Sequence, residues 1–503
     1  MTHSVEYGDV QGLVRFGHAH MTEACYFLLN IRNPSAARLW LSSAPVTSAV
    51  TATPLPKTAL QVAFTRPGLE ALSVPPRVIA GFSAEFIAGI ASDENRSRRL
   101  GDIGRNSPAH WRWGSESDIP HLLVMLFAGP GLLDSWKQAA KGQLWASAFE
   151  DIECLPTSDM GGREAFGFID GISQPEVDWD QTRKPSVNCY ESKYSNVVCL
   201  GEFLLGYRNE YQKYTDRPLV DDRDRTAQEL PCAEDQPGLR DLGRNGTYLV
   251  MRQLAQDVRG FWQFLDGVTS SDAEQRYRLA SLMVGRALSD GSPLVPLSQF
   301  GIGGISEKGN GIQLNQFTYD SDVEGTRCPY GAHIRRANPR NGDVLGNPRG
   351  LISTLIRTLG FGNKNVRDDL ISSARFHRIL RRGREYGRAL TQEQALQPVG
   401  PNDIESGLQF FAINSNIQRQ FEFVQTAWLM RTKFDGLTEE SDPILGNRMP
   451  VAGCPFTDTF SVSRENGIRQ RITDLPQFIR VKGGAYFFLP GIRALRYLIK
   501  VGA

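Results

Sequence analysis

The stretch GTYLVMRQLAQDVRGFWQFL (246–265) combines two patterns of apolar residues in one short run. Its first part, GTYLVMRQL (246–254), has the length and the branched and aromatic side chains of a β-strand. In its second part, QDVRGFWQFL (256–265), apolar residues recur at the spacing of an amphipathic helix. The sequence therefore predicts a strand that runs directly into a helix.

Strand-like and helix-like segments mix on both sides of this stretch, but without the regular rhythm of a parallel βαβ sheet. A polar, turn-rich segment (178–240) separates an earlier group of them from a later group and is predicted to be a domain junction. The pattern favours an α+β fold with two sheet-plus-helix halves. The predicted strands are VQGLVRF (10–16), ACYFLLNI (24–31), HLLVMLFA (121–128), GLQFFAIN (407–414) and YFFLPGI (486–492), and LQVAFTRPGLEAL (60–72) is predicted to be a strand that leads into a helix. The predicted helices include GLLDSWKQAAKG (131–142), RYRLASLMVGRAL (276–288) and IQRQFEFVQTAWL (417–429).

Composition excludes several classes of protein. The chain has 503 residues, 41% of them hydrophobic, and 56 Lys and Arg balance 55 Asp and Glu, which is untypical of a nucleic-acid-binding or a disordered acidic protein. Seven cysteines without a CxxC pair argue against a disulfide framework or a cysteine-rich zinc site, and the absence of CxxCH argues against covalently attached haem. Because neither a signal sequence nor a 20-residue apolar run is visible, we expect a cytoplasmic protein without a membrane span.

Three segments contain candidate functional residues. Asp170 is the one acid in the glycine-containing bend AFGFIDGISQP (165–175), where it could also simply cap its own backbone. His333 lies in RCPYGAHIRRANPR (327–340), predicted to be a short helix that begins at Pro329 and ends before Asn338-Pro339. Arg335, Arg336 and Arg340 surround it, and they could pair with the carboxylates of an anionic cofactor or form an exposed basic face.

Arg381 lies in the third segment, FHRILRRGREYG (376–387). Strand alternation places it on the same side as Ile379, so that an inward Ile379 implies an inward Arg381 that needs an anionic partner or ligand. The pair His18 and His20 is expected to be structural rather than a metal site. The glycine-rich GIGGISEKGNGI (301–312) lacks the spacing of a dinucleotide-binding motif and is predicted to be a loop.

Taken together, FGFIDGISQP, CPYGAHIRRANPR and ILRRGREYG followed by GLQFF resemble the dye-decolorizing peroxidases, haem enzymes that use hydrogen peroxide. The resemblance extends over about residues 8–500 and is greatest to the longer bacterial subgroup. It implies two ferredoxin-like halves, residues 1–235 with the GxxDG motif and residues 240–503 with most of the haem contacts.

The resemblance also implies a role for each matching residue. His333 matches the ligand of the haem iron, and Asp170 matches the acid–base residue on the opposite, distal face of the haem. Arg381 matches the distal arginine, with Arg382 as the alternative if the alignment shifts by one position. Leu408 and Phe410 match apolar residues of the distal pocket.

Two further residues are assigned to the cofactor site. The family pairs the ligating histidine with a carboxylate later in the chain, for which Asp442 in SDPILG (441–446) is the candidate. Arg336 is expected to contact the cofactor from the histidine helix. The implied cofactor is haem b held without a covalent bond, and the implied partners are hydrogen peroxide and small reductants such as dyes and phenolics, with no nucleic acid and no membrane, and an oligomer left open.

Three alternatives remain at this point. The chain could bind haem without peroxidase turnover, for storage, sensing or iron release. Cys328, which precedes Pro329, could be the axial ligand in place of His333. The chain could also be an α+β interaction protein without haem.

Overall fold

The computed structural model describes residues 4–182, 194–297, 314–341, 373–400, 403–464 and 467–502. Within these ranges, nine strands form one antiparallel sheet at the centre of the molecule. The strands are β1 (Glu23–Ile31), β2 (Thr58–Phe64), β3 (Leu122–Ala128), β4 (Phe149–Pro156), β5 (Thr247–Gln256), β6 (Leu380–Arg381), β7 (Arg384–Tyr386), β8 (Ser406–Asn414) and β9 (Ile479–Leu489).

The strand order shows two copies of one topology. The first half has the order β4-β1-β3-β2, and the second has β9-β5-β8 followed by the short strands β6 and β7, both paired with β8. In both halves the first strand lies between the last strand and the strand that precedes the last in sequence, which is the ferredoxin-like arrangement. The two halves meet where β9 pairs with β2 through Phe488 and Phe64. The predicted α+β fold with two ferredoxin-like halves is therefore confirmed.

Most of the described α-helices pack on one face of the sheet, whereas the short helix Gly12–Phe16 contributes to the core on the other face. Several helices start at the polar caps that the sequence provides. The Asn33 side chain accepts hydrogen bonds from the backbone N–H groups of Ser35 and Ala36, and Asp257 accepts one from Gly260. The α-helices are Gly12–Phe16, Pro34–Ser43, Arg66–Ala71, Pro76–Ile79, Ala84–Ala88, Glu94–Leu100, Leu133–Lys141, Trp145–Ala148, Val258–Val268, Ala273–Val284, His333–Ala337, Gln392–Leu396 and Ile492–Lys500, and π-helical turns span Gln418–Glu422 and Val424–Met430.

Both faces of the sheet are buried, because alternate residues of one strand enter two different cores. In β1, Phe27 and Leu29 belong to one core, while Tyr26 and Leu28 belong to the other. The strand predicted for residues 10–16 was wrong, since this segment forms the short helix Gly12–Phe16. The helix directs two consecutive apolar residues into one core and ends at Gly17, whose φ of 61° suits a glycine.

The predicted junction segment forms small sheets beside the main one. Glu176–Asp178 pairs with Val197–Cys199, and Leu219–Asp221 pairs with Leu239–Asp241. The division into residues 1–235 and 240–503 stays a prediction. Among the described helices, none combines the length and apolar character that a bilayer span requires.

Candidate active site

A cavity opens on one face of the second half of the sheet. The wall formed by the sheet includes Leu254 of β5, Leu408 and Phe410 of β8, and Ile479 and Val481 of β9. The members of each strand are two residues apart and so face the same side, whereas Phe411 enters the opposite core. The helix His333–Ala337, the π-helical turns and the 164–173 loop provide the other walls. Leu408 and Phe410 thus both line the cavity, and their role as distal-pocket residues stays a prediction.

Asp170 and Arg381 meet inside this cavity. Arg381 Nη1 donates a hydrogen bond to Asp170 Oδ1 over 2.8 Å, and both side chains are partly exposed to the cavity. Burial favours the neutral carboxyl group, but the charge and hydrogen bond of Arg381 outweigh it, so that the pKa of Asp170 lies below its ordinary value. The structure therefore places the Asp170 carboxyl group beside a guanidinium on the cavity wall, which favours its ionised form.

Strand alternation explains why Arg381, and not its neighbour, reaches the cavity. Ile379 and Arg381 both line it, as the sequence predicted. Arg382 points to the opposite side of the sheet, where Nε donates to the Leu13 carbonyl over 3.0 Å and Nη2 to the Val14 carbonyl over 2.9 Å. The alternative assignment of the arginine role to Arg382 is not compatible with this position.

Gln174 connects the Asp170 loop to the strand that carries Arg381. Its side-chain oxygen accepts from the Arg381 backbone N–H over 3.1 Å, and its side-chain nitrogen donates to the Arg381 carbonyl over 3.2 Å. The amide thus occupies both backbone groups of one residue, as a neighbouring strand would. This contact sets the position of Arg381 relative to Asp170.

Glu164 holds the other end of the loop. Its two carboxylate oxygens accept the backbone N–H groups of Phe166 and Phe168 over 3.0 and 2.9 Å, and Gln256 of β5 donates to the same group. Burial raises the pKa of Glu164 to about 7. Sequence reasoning missed this residue, although an acid placed two and four residues before buried N–H groups was a signal that could have found it.

The glycines on either side of Asp170 are required by backbone conformation. Gly167 and Gly171 have φ values of 103° and 81°, in a region that other residues rarely adopt. A Cβ atom at Gly171 would meet nothing within 4 Å. The glycines therefore shape the bend that presents Asp170 to the cavity.

His333, which is distant from Asp170 in the sequence, lines the same cavity. Its side chain is paired with that of Asp442. His333 Nδ1 lies 3.0 Å from Asp442 Oδ2, while Asp442 Oδ1 accepts the backbone N–H groups of Ile444 and Leu445 over 2.9 and 2.8 Å. The Asp442 side chain is fully buried, whereas 28% of the His333 side chain is exposed.

Each member of the pair shifts the pKa of the other. Burial raises the pKa of Asp442, but the charge and hydrogen bond of His333 outweigh that effect and lower it. For His333, burial lowers the pKa and Asp442 raises it above the ordinary value. With Nδ1 bonded to Asp442, Nε2 is the nitrogen left for a metal ligand bond.

The helix that carries His333 is shorter than predicted. It begins at His333, not at Pro329, and the residues between them form a turn in which the Ala332 N–H donates to the Pro329 carbonyl over 3.0 Å. Before this turn, Asp322 accepts the backbone N–H groups of Thr326, Arg327 and Cys328 over 2.8 to 3.0 Å. The predicted end before Asn338 is confirmed.

The three arginines of this segment are all buried, but only one lines the cavity. Arg335 donates to Asp322, and Arg336 donates to the carbonyls of Trp428, Glu440 and Arg431. Arg336 does not line the cavity, so its contact with a cofactor stays a prediction that the structure does not support. Arg340 lines the cavity, and its guanidinium also donates to the carbonyls of Asn315 and Phe317.

The cavity contains further charged residues that sequence reasoning missed. Arg286 Nη2 donates to Ser173 Oγ over 2.7 Å, and burial together with nearby Arg340 lowers the pKa of Arg286 to about 10. At another part of the wall, Arg252 donates to Asp102, and both side chains are almost fully buried. These residues come from segments distant in the chain, so no local pattern identifies them.

The structure also bears on the other candidate ligands. Cys328 is fully buried in a small apolar cluster with Phe317 and Tyr319 and does not line the cavity, and burial raises its pKa to about 12. His18 is buried and His20 is exposed. Among the described residues, no cluster of three or more His, Cys, Asp or Glu could hold a metal ion. The stretch 301–312 lies outside the described residues.

The sequence matches no family model. A multifunctional dye peroxidase of Amycolatopsis sp. is 30% identical over 359 residues, which cover 68% of this chain and 62% of the relative. A dye-decolorizing peroxidase of Mycetinis scorodonius is 27% identical over 98% of this chain and 87% of its own length. The chain thus spans less than two thirds of the first relative and most of the second.

Solved structures share the fold. A dye-decolorizing peroxidase of Auricularia auricula-judae superposes with a TM-score of 0.71 at 22% identity, over 99% of this chain and 100% of that chain. The peroxidase of Anabaena sp. has a TM-score of 0.69 at 22% identity, with coverage of 98% and 94%. From the relatives along its sequence and the shared fold, the chain belongs to the dye-decolorizing peroxidase family.

Proposed function

We propose that this chain is a haem-dependent peroxidase that reduces hydrogen peroxide and oxidises dyes, phenolics or other bulky one-electron donors. The observation that carries the proposal is that one cavity is lined both by an imidazole backed by a carboxylate, His333 with Asp442, and by the ion pair of Asp170 and Arg381. A metal ligand and a proton-transfer group thus open onto the same space.

The residues present fit haem b. His333 offers a nitrogen to iron, the sheet side of the cavity is mostly apolar, and Arg286 and Arg340 are guanidiniums suited to the carboxylates of such a cofactor. The absence of CxxCH supports attachment without a covalent bond. When bound, haem supplies the redox-active iron at which the peroxide O–O bond is broken. Most of its contacts are proposed to come from residues 240–503, with Asp170 reaching in from residues 1–235.

The proposed chemistry of the chain is proton transfer at Asp170. Its lowered pKa keeps the carboxylate ionised at neutral pH, ready to take a proton from one oxygen of hydrogen peroxide and return it to the other, which leaves as water. Arg381 supports this step, since its positive charge favours the carboxylate and stabilises negative charge that develops as the bond breaks. Asp442 keeps His333 oriented and makes it a more basic ligand.

The reductants are proposed from the relatives. These are named dye peroxidases, and one solved dye-decolorizing peroxidase of the same fold was captured with 2,6-dimethoxyphenol. We propose the same class of small aromatic donors for this chain. A cytoplasmic location stays a prediction, and so does the possibility of an oligomer.

The test combines a spectrum with one substitution. The purified chain supplemented with haem should show a Soret band that His333→Ala weakens, and it should oxidise 2,6-dimethoxyphenol only when peroxide is present. Asp170→Asn should retain the Soret band and lose about 100-fold or more of the rate, since general acid–base catalysis contributes that much. Asp159→Asn, at an exposed nearby carboxylate, is the matched control and should leave the rate unchanged.

Other results would support the alternatives. A Soret band with no peroxide-dependent oxidation, or with equal rates for the wild type and Asp170→Asn, would indicate haem binding without the proposed turnover. A band that depends on Cys328 rather than His333 would indicate a thiolate ligand. A chain that acquires no Soret band after haem is added would contradict haem binding altogether.

A further inference from the structure

Two cysteines that are distant in the sequence bring their sulfur atoms into contact. They lie on neighbouring strands of the first half of the sheet. Cys25 Sγ in β1 and Cys154 Sγ in β4 are 2.9 Å apart. A disulfide bond is about 2.05 Å long, so a closer approach of less than about 1 Å would join them. Cys25 is buried and Cys154 is exposed, so one sulfur of the pair is open to solvent reagents.

The strand register explains the contact. Phe27 pairs with Cys154 and Cys25 with Pro156, so the two cysteines are diagonal neighbours on adjacent strands and project from the same face. The strand β4 forms the edge of the sheet and has no neighbour beyond it among the described strands. A covalent link between β1 and β4 would therefore attach the edge strand to the interior of the sheet.

The charges around the pair favour a reactive sulfur. The helix Leu133–Lys141 packs on β1, and Lys137 and Lys141 both act on the pair electrostatically. Lys141 Nζ lies 2.9 Å from Asp151, and Lys137 Nζ lies 3.1 Å from Asp134, so each ammonium group also has a carboxylate partner. The hydrogen bond from Cys25, followed by the two lysines, lowers the pKa of Cys154 to about 7, whereas the pKa of Cys25 is raised.

We propose that Cys25 and Cys154 form a reversible disulfide, with hydrogen peroxide as the oxidant and Cys154 as the sulfur that reacts first. The Cys154 thiolate attacks one peroxide oxygen, the O–O bond breaks, and hydroxide leaves, so that Cys154 becomes a sulfenic acid. The Cys25 sulfur then attacks the Cys154 sulfur, the S–O bond breaks, and the departing hydroxide takes the Cys25 proton as water. In total, two thiols lose two electrons and one peroxide becomes two waters.

This modification site does not depend on haem chemistry. A small thiol can reverse it by exchange at the exposed Cys154. The disulfide would close a long loop of the chain and would therefore stabilise the folded state relative to the unfolded one. The same reagent that the proposed cavity chemistry consumes would thus also fasten the edge strand.

The test is a peptide map of the complete, haem-loaded chain. Reduced protein is treated with a small excess of hydrogen peroxide or, in a separate sample, with oxidised dithiothreitol, which requires no haem turnover. We expect the peptides that contain Cys25 and Cys154 to become linked with a loss of about 2 Da, the apparent melting temperature to rise, and dithiothreitol to reverse both changes.

Variants distinguish this pair from general thiol oxidation. Cys25→Ser should abolish the link and let a dimedone label accumulate on Cys154, and Cys154→Ser, at the exposed position, should also abolish the link. Cys232→Ser removes another exposed cysteine, whose sulfur accepts from Arg240, and should leave the link unchanged.

Independent alkylation of Cys25 and Cys154 after both treatments, without a linked peptide, would overturn the proposal, as would a link that requires Cys232. The sample treated with oxidised dithiothreitol is expected to form the link without any turnover of peroxide. Failure of the haem proposal and failure of the disulfide proposal therefore give different results.

Discussion

The side-chain amide of Gln174 binds both backbone groups of Arg381, accepting from its N–H over 3.1 Å and donating to its carbonyl over 3.2 Å. Gln174 lies four residues after Asp170, so one side chain fastens the loop of the acid to the strand of the arginine. The 2.8 Å bond between Asp170 and Arg381 therefore depends on a contact outside the ion pair itself.

Gln174→Leu should impair the proposed peroxide reaction without removing either charged residue. We expect kcat/KM for hydrogen peroxide to fall about tenfold, because small displacements of reacting groups cost this much or more. Gln174→Glu keeps the acceptor for the Arg381 N–H and should lose less. The measurement is steady-state kinetics with the Soret band as a check on haem content. Gln138→Leu, at an exposed helical position, is the control, and an equal loss in both leucine variants would refute the positioning role.

Arg381→Leu should shift the pH dependence of activity. Arg381 lowers the pKa of Asp170, so its removal raises that pKa and the active carboxylate becomes protonated at a higher pH. The acidic limb of the kcat/KM profile for peroxide should therefore move to higher pH, with a smaller shift for Arg381→Lys. Arg382→Leu, on the opposite face of the sheet, should leave the limb in place. An unchanged limb in Arg381→Leu would show that Asp170 is not the titrating group.

Asp442→Asn should weaken the proposed ligand bond of His333. The carboxylate accepts from His333 Nδ1 and is itself held by two backbone N–H groups, so an amide at this position orients the ring but lacks the negative charge. Loss of such a partner typically costs 10- to 100-fold in metal affinity, about 1.4 to 2.7 kcal/mol. Haem titration followed at the Soret band measures the loss. Asp474→Asn, at an exposed carboxylate, serves as the comparison, and equal affinities in the two variants would exclude a role for Asp442.

Glu164→Gln should change how stability depends on pH. Burial raises the pKa of Glu164 from 4.5 to about 7 in the folded state, so the unfolded chain ionises first as the pH rises. The wild type therefore loses stability between about pH 4.5 and pH 7, on the order of 3 kcal/mol, and the glutamine variant does not. Urea unfolding at pH 5 and at pH 7.5 tests this. Relative to the wild type, Glu164→Gln should be more stable at pH 7.5 than it is at pH 5. The exposed control Glu94→Gln should show no such change with pH.

Local sequence patterns predicted those strands whose side chains face the same apolar surroundings at regular intervals. Strands with alternating or continuous apolar residues, such as β1 and β5, were found because their side chains face a core on both sides of the sheet. The inward direction of Arg381 followed from the same alternation and from an apolar Ile379 two residues before it. The segment 10–16 was misread because a five-residue helix is too short to show a period.

The sequence by itself determined the fold class and the family resemblance, and it singled out Asp170, His333 and Arg381 as candidates, because each of these depends on a short motif or on strand period. Only the tertiary structure decided which charges share one cavity. It placed Asp442 against His333 across 109 positions of sequence, assigned Arg336 to backbone carbonyls, and brought Arg340 to the cavity instead. The physical reason is that a buried charge must find its partner in space, and chain position does not specify which backbone or side-chain group will be there.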